Sequence, residues 1–419
     1  MKSATAGPPA PSQATRAEPS TNAHYPLSGV TVIDLSHIYN GPYATFLMAM
    51  AGADVIKVEP HHGEHLRVRA ALGSGVALPF AMLNANKRAV TMNLKAKRGR
   101  ELLIDMVRKA DVLVENFAPG VTERLGIGPE DLHKINPRLV YASSTGYGRS
   151  GPYRDYPAMD LTVQAMSGVM SITGFPDGPP VKSGPALCDF FAGIHLYGGI
   201  VTALYDREKT GVGRLVEVSM QEAVYASLSS NLGMYEGLGR KNPQRTGNRH
   251  GGMAEAPYNV YRANDGWVAI ICPTNRHWDA LIEAMGYQHL KEDPRFANLK
   301  LRVEHIDDID DIVTSWTARH PRQYVVEKLQ QHRVPHAPVR ELDEVINDKH
   351  MHARGTLQNI QHPEYGELTV QHSPMRYEGV PLIPLKPSSK LGADGRDVFV
   401  NWLGLSESEF EQLVKEGVL

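Results

Sequence analysis

This sequence predicts an α/β protein: a parallel, doubly wound sheet joined to a second, smaller α+β unit. Three observations carry the prediction. Short apolar runs alternate with helical stretches from Val30 to Ser143. One apolar stretch, Gly184 to Tyr205, has the spacing of a buried helix, and a hairpin signal at Asn264-Asp265-Gly266 opens a differently patterned region. The chain has 419 residues and a formal net charge of −2, with basic and acidic residues interspersed. That balance suggests neither a nucleic-acid surface nor a polybasic membrane anchor, and favours small-molecule chemistry. The two cysteines, Cys188 and Cys272, leave no disulfide framework or Cys-rich zinc site and fit a reducing, cytoplasmic setting.

Residues 1 to 24 are rich in Ala, Pro, Ser and Thr without an apolar run, and read as a disordered tail. The first ordered unit is β-α-β: a strand from Val30 to Leu35, a helix opened by Gly41-Pro42 and closed by Gly52, and a strand from Asp54 to Glu59. Arg88 to Leu94 adds a strand, Arg98 to Lys109 an amphipathic helix, and Val112 to Val114 and Leu139 to Ser143 two further strands. Met159 to Met170 reads as a helix, followed by the Gly184 to Tyr205 stretch, a strand at Leu215 to Ser219 and a helix from Met220. The run after Asp189 reaches only to Asp206 and holds His195, short of the roughly 20 residues of a membrane span. Arg240 to Ala256 is polar and Gly-rich, a loop at a unit boundary. Strands at Tyr258 to Tyr261 and Trp267 to Ile271 then flank the hairpin turn, and helices follow at His277 to Met285, Ile306 to Thr317 and Arg322 to Gln331. Pro335 to Val339 begins a return segment, Asp343 to Asn347 starts a helix, and Ser406 to Glu409 form a capping box before the last helix. The resulting division is 25–235 for the first part of a large unit, 236–338 for linker and small unit, and 339–419 for the return.

Open α/β sheets bind ligands at the carboxyl ends of their strands. Those positions hold Ser36-His37-Ile38-Tyr39-Asn40, Glu59 to His62, Asn116-Phe117 with Arg124 downstream, and Ser144 to Tyr147. Polar, aromatic and basic groups on one edge suit a bulky anionic ligand. Gly146 to Gly151 satisfies the dinucleotide pattern G-x-G-x-x-G, but Pro152 to Pro157 follow where the pattern requires a helix, so nicotinamide binding is not expected.

Asp189 is the one carboxylate in the apolar stretch. Buried and isolated, it would tend to protonate, so it must be paired, capping or functional. Two readings share one geometry: an N-cap of the helix, or a poorly solvated nucleophile at its positive end. Spacing alone favours the cap.

Several segments together resemble the family III CoA-transferases, the group that includes formyl-CoA:oxalate CoA-transferase and carnitine CoA-transferase, with α-methylacyl-CoA racemase as a related branch. The carriers are LSGVTVIDLSHIYNGPYATFLMAMAGADVIKVEP, NANKRAVTMNLK, ADVLVENFAPGVTERLGI, TGYGRSGP, DLTVQAMSGVMSITGFPDGPP, ALCDFFAG, REKTGVGRLVEVSM and VPHAPVRELDEV, in order from about Leu27 to Leu419. The resemblance implies a Rossmann-like large domain with an inserted small domain in an interlaced homodimer. It makes Asp189 the nucleophile and places CoA along His37, Ile38, Tyr39, Asn40, Lys95, Asn116, Phe117 and Arg124. Gly251 and Gly252, after Gly247, stand where the family has a glycine loop over the active site. The loop is shorter and bulkier here, which speaks against formyl or oxalate substrates. Asp160 is implied as a supporting carboxylate or a helix-start cap. In the racemase branch a His precedes the matching Asp; here Met159 does, and it cannot carry a proton. The implied activity is CoA transfer from an acyl-CoA donor such as succinyl-CoA to a small organic acid through an aspartyl intermediate, with an acyl-CoA isomerase or a silent CoA-binding protein as alternatives. It uses the CoA thioester as substrate, with no tightly bound cofactor and no metal. Tyr39, Met159, Tyr235, Arg249 and His250 are candidate pocket residues, Arg249 and His250 suiting an acid with a second carboxylate.

Overall fold

The computed structural model describes residues 24–69 and 77–419; the tail expected over residues 1 to 24 lies, but for His24, outside them. Six strands form one sheet: β1 (Thr31–Asp34), β2 (Asp54–Glu59), β3 (Arg88–Thr91), β4 (Val112–Glu115), β5 (Val140–Thr145) and β6 (Leu215–Ser219). Their order is 3-2-1-4-5-6 and every neighbouring pair is parallel. The order reverses between β1 and β4, where Val32 pairs Val112, so the loops leaving these two strands diverge and open a crevice.

Successive strand residues face opposite sides of the sheet. Ile33, Ile56, Val90, Leu113 and Tyr141 pack on one side under Leu102, Leu103 and Met106 of the helix Lys97–Lys109 and under Val398, Phe399 and Leu413 from the chain's end. Val32, Val55, Val112 and Val140 pack on the other under the helices Asn40–Ala49 and Leu187–Thr210. The C-terminal segment is tied to the sheet's edge: Asn93 N–H donates to Val418 O at 2.8 Å, and Ala89 N–H to the Asp394 carboxylate at 2.7 Å.

The helix Leu187–Thr210 has 24 residues, longer than the sequence suggested because it continues through Asp206 to Thr210. It is not buried all round. Leu196, Ile200 and Leu204 face the core, whereas Ile194 and Tyr205 are 51% and 65% exposed. Two glycines let it approach its neighbours: a Cβ on Gly193 would stand 2.7 Å from Asn40 O, and one on Gly199 2.7 Å from Val216. The helix expected over Met159 to Met170 is two, Asp160–Met166 and Val169–Ile172, broken where Gly168 takes φ +91°.

A second sheet holds β7 (Tyr258–Ala263) and β8 (Gly266–Ile271), joined by the expected turn, and β9 (His336–Pro338) antiparallel to β8. Residues 336–338, expected as part of a return segment, form the third strand of this sheet. They satisfy the open edge of β8, Val339 N–H donating to Trp267 O at 2.9 Å. Trp278, Leu281, Ile309, Val313 and Val325 from the covering helices fill the core of this unit. A hairpin that the sequence did not suggest, β10 (Leu357–His362) and β11 (Gly366–Gln371), follows. At the last helix Ser406 accepts from Glu409 N–H, but the Glu409 carboxylate pairs with Arg98 at 2.6 Å instead of returning to Ser406.

Candidate active site

The loop after β1 carries a strained residue. Ile38 sits at φ +67°, a region that β-branched side chains rarely enter. Asn116, just past β4, holds this loop: its Oδ1 accepts from His37 N–H at 2.8 Å, and its Nδ2 donates to His37 O at 2.8 Å and to Asn40 Oδ1 at 2.9 Å. The Asn116 amide is thus occupied by protein.

Beneath the loop lies a buried ionic cluster. Lys87 Nζ donates to Asp34 Oδ2 at 2.9 Å, Thr45 Oγ1 at 2.7 Å, Asn84 Oδ1 at 2.9 Å and Pro42 O at 3.0 Å. Lys57 Nζ donates to Ser36 O at 2.8 Å. Burial alone would raise the Asp34 carboxyl, but the Lys87 and Lys57 charges and the Ser36 and Thr45 hydroxyls outweigh it and hold it below the usual range. Burial draws the Lys87 ammonium down to about 8 against the pull of Asp34. Glu59 is taken up by Arg67, at 2.7 Å and 3.1 Å.

Asp189 is not the cap of its helix. The helix starts at Leu187, and its first amides are capped from outside by Asp160, whose Oδ1 accepts from Cys188 N–H at 2.8 Å and Asp189 N–H at 3.3 Å. Gln164 Nε2 donates to the other Asp160 oxygen at 2.6 Å, while Gln164 Oε1 accepts from Ser183 N–H at 2.9 Å. Asp160 also stands at the start of its own helix, but there Thr162 supplies the side-chain bond, to Met159 N–H at 2.9 Å. Asp189 is left 8% exposed with no hydrogen bond to its carboxylate among the described residues. Burial, then the charge of Asp160, push its carboxyl up to about 7.

That carboxylate lines a cavity of about 690 Å³ with His37, Ile38, Asn40, Asn116, Phe117, Ser144 to Tyr147 and Arg154 to Met159. A second cavity of about 540 Å³ holds Lys95 and Arg124, both exposed, with Glu59 to His62. His37 and Phe117 line both cavities, their rings 5.5 Å apart. Burial and then the Lys57 charge hold His37 down at about 4, so its 4.0 Å approach to Glu64 is not an ion pair at neutral pH. Tyr39 packs on Phe190 at 5.8 Å, its hydroxyl pushed up by burial and the Asp189 charge. Asp189, His37, Ile38, Asn40, Asn116 and Phe117 therefore share one cavity, with Asp160 behind Asp189 on the helix amides, whereas Lys95 and Arg124 line the second cavity and Tyr39 lines neither. No helix begins within Gly146 to Gly151.

The glycine loop lies elsewhere in the single chain. Gly251 lines a different cavity, of about 360 Å³, with Arg245 and Arg249. Gly247 is a left-handed turn packed on Phe175, where a Cβ would meet the ring at 2.9 Å, and Gly252 N–H donates to His250 Nδ1 at 3.2 Å. Arg249 is committed to Asp310 at 2.7 Å and Asp307 at 2.6 Å, so it is not available to a substrate carboxylate as the sequence suggested. Tyr235 lines a further cavity without Asp189. Sequence reasoning missed Asp34, Lys57, Lys87, Gln164 and Arg154. For Asp34 and Lys57 a signal existed, charges inside otherwise apolar strands; for Gln164 and Arg154 none did.

The model of the CoA-transferase family III matches residues 27–395. A formyl-CoA:oxalate CoA-transferase of Streptomyces coelicolor is 38% identical, covering 94% of this chain and 99% of that protein. An acetyl-CoA:oxalate CoA-transferase of Acetobacter aceti is 40% identical over 79% of this chain and 85% of that protein. Among solved structures, a CAIB/BAIF family protein from Brucella suis superposes with a TM-score of 0.79 at 31% identity, covering 90% of this chain and 99% of that one.

Proposed function

The chain belongs to CoA-transferase family III, and from that premise we propose that it moves CoA from an acyl-CoA donor to a small organic acid through a covalent intermediate on Asp189. The observation that carries the reading is the state of that side chain: a carboxylate on a cavity wall, free of hydrogen bonds among the described residues because Asp160 has taken the helix amides. Poor solvation raises its basicity, and with it its nucleophilicity, while leaving it substantially ionised at neutral pH.

Asp189 attacks the acyl carbonyl, expelling CoA thiolate and forming a mixed anhydride. The thiolate then attacks the aspartyl carbonyl, releasing the donor acid with one oxygen taken from Asp189 and leaving an aspartyl-CoA thioester. The acceptor carboxylate attacks that thioester, CoA departs and returns to the acyl carbonyl, and Asp189 is regenerated with one oxygen from the acceptor. The two cavities, which share His37 and Phe117 as walls, suit this substrate, with Lys95 and Arg124 for CoA phosphates in one, the His37 to Asn40 backbone, Asn116 and Phe117 along the middle, and Asp189 at the thioester in the other. Asp160 positions the nucleophile.

The division into a CoA-binding unit, 25–235 with 339–419, and an inserted unit, 236–338, belongs to the same proposal, as does an interlaced homodimer. Exposed Ile194, Tyr205, Tyr225 and Leu342 support a covered surface, and a second copy would bring Gly247, Gly251 and Gly252 to Asp189, where backbone N–H groups stabilise the oxyanions. The names of two relatives make oxalate the first acceptor to try, against the expectation from the loop's bulk, with succinyl-CoA kept among the donors. An isomerase reading has less support, since Met159 stands on the cavity wall without a proton to offer.

A single turnover with ¹⁸O-labelled acceptor tests the mechanism. The released donor acid carries no label if its new oxygen comes from Asp189. Labelled acid in the first turnover would mean direct attack by the acceptor and would overturn the reading.

A further inference from the structure

An acid entering the 690 Å³ cavity meets Asp189 and Asp155 on its walls, together with aromatic and apolar surface from Phe117, Tyr147, Tyr156 and Met159. A second carboxylate on that acid needs a counter-charge there, because a desolvated anion is costly unless paired. Among the described residues lining the cavity, Arg154 is the one Lys or Arg.

We propose that Arg154 recognises the distal carboxylate of a dicarboxylic acceptor, while the other carboxylate reacts at Asp189; the inference rests on the transferase reading above. The guanidinium is half exposed and donates only through Nε, to Asp155 Oδ1 at 3.2 Å, its neighbour in sequence. Its terminal nitrogens have no protein partner among the described residues, which leaves a planar fork for a carboxylate. Arg149, Arg245 and Arg249 do not line this cavity and are engaged elsewhere. Arg149 pairs with Glu123 at 2.6 Å, and Arg249 with Asp307 and Asp310. Arg245 donates to the carbonyls of Phe175 and Gly178.

The loop carrying Arg154 is also held in place. Tyr153 and Tyr156, on either side of it, pack against Tyr147 with ring centroids 6.3 Å and 6.2 Å away and 5.1 Å from each other. Tyr147 stands two residues past the end of β5, so the sheet sets where the loop, and the arginine on it, meets the cavity. Arg154 is thus a specificity-determining residue on a fixed wall, with a side chain long enough to serve acids of different length.

The test pairs each dicarboxylate with the monocarboxylate in which a methyl replaces the distal carboxylate: oxalate with acetate, and succinate with butyrate, using propionyl-CoA as donor. Arg154→Met is expected to raise KM for the dicarboxylates about 10- to 100-fold, the loss of one charge-assisted hydrogen-bonded contact. KM for the monocarboxylates and for propionyl-CoA should stay within about two-fold, and Arg154→Lys should recover part of the loss. Equal losses on both acids of a pair, or a rise confined to KM for propionyl-CoA, would overturn the assignment, the latter marking a CoA phosphate contact instead. Intact mass of the same proteins with propionyl-CoA separates the two layers of the argument. An adduct on both wild type and Arg154→Met, with unchanged acid preference, sinks the Arg154 assignment alone. No adduct on wild type with either propionyl-CoA or succinyl-CoA sinks the transferase mechanism on which it rests.

Discussion

Replacing Asp189 with Asn reads the environment of the carboxyl group through stability, without any substrate. The carboxyl ionises near 3.8 in the unfolded chain, and burial followed by the Asp160 charge holds it at about 7 in the folded one. Between those values the folded state keeps a proton that the unfolded state has lost. Stability therefore falls as pH rises through that interval and stays low above it. An interval of about 3 on the pH scale corresponds to ~4 kcal/mol at roughly 1.36 kcal/mol each. Asparagine has nearly the same volume, does not titrate and forfeits no hydrogen bond to the carboxylate, since none is made among the described residues. The stability of Asp189→Asn relative to wild type should then grow by about 2–4 kcal/mol between pH 4 and pH 8. Urea unfolding of both proteins across that range, followed by circular dichroism, measures the difference as a change in midpoint. A difference that stays flat with pH would refute the reasoning, because the carboxyl would then have to be solvated or paired.

Wild-type kcat/KM should rise with pH through an apparent value near 7, as Asp189 ionises. Asp160→Asn should move that limb to lower pH by removing the neighbouring charge; an unmoved limb in a pH-rate profile would mean that Asp160 acts only as a cap. Asp160→Ala loses the bonds to Cys188 and Asp189 as well and should cost about 1–2 kcal/mol in denaturant unfolding. Lys87→Met strands the buried Asp34 charge and should cost about 3–5 kcal/mol, most of it recovered in the double variant with Asp34→Asn; failure to recover in the same unfolding assay would show that Lys87 matters for packing alone. Asn116→Ala frees the strained Ile38 loop from three hydrogen bonds and should raise KM for acyl-CoA more than it lowers kcat in steady-state kinetics.

The parallel sheet was legible because each strand is an apolar run bounded by turn residues, and the alternation with helices leaves few topologies open. Strand ends pointed to one edge of the sheet, and His37, Asn116 and Phe117 line a cavity there. The capping of Asp189's helix was not legible, because the acceptor is 28 residues upstream on another helix and no local pattern ties Asp160 to Cys188. Spacing alone therefore credited Asp189 with a role that Asp160 performs. Arg154 was hidden in a segment of Gly, Pro and Tyr that reads only as a break in a dinucleotide pattern, and its meaning depends on which cavity the loop borders. Arg249 misled in the opposite sense. Nothing near it in sequence announces Asp307 and Asp310, which neutralise it from a helix some 60 residues on. The ionic cluster under the loop was half visible, since Asp34 and Lys57 interrupt apolar strands and buried charges require partners. Lys87, between Asn84 and β3, gave no sign of being the main partner.

Intact-mass spectrometry after incubation with succinyl-CoA and, separately, propionyl-CoA, with and without hydroxylamine, bears most directly on the claim that Asp189 forms the covalent intermediate. Wild type should gain a CoA-sized mass that an acceptor acid discharges and hydroxylamine converts to a hydroxamate at Asp189, and Asp189→Asn should gain neither. Folded wild type that binds CoA yet takes up no mass, or an Asp189→Asn variant that does, would contradict the account.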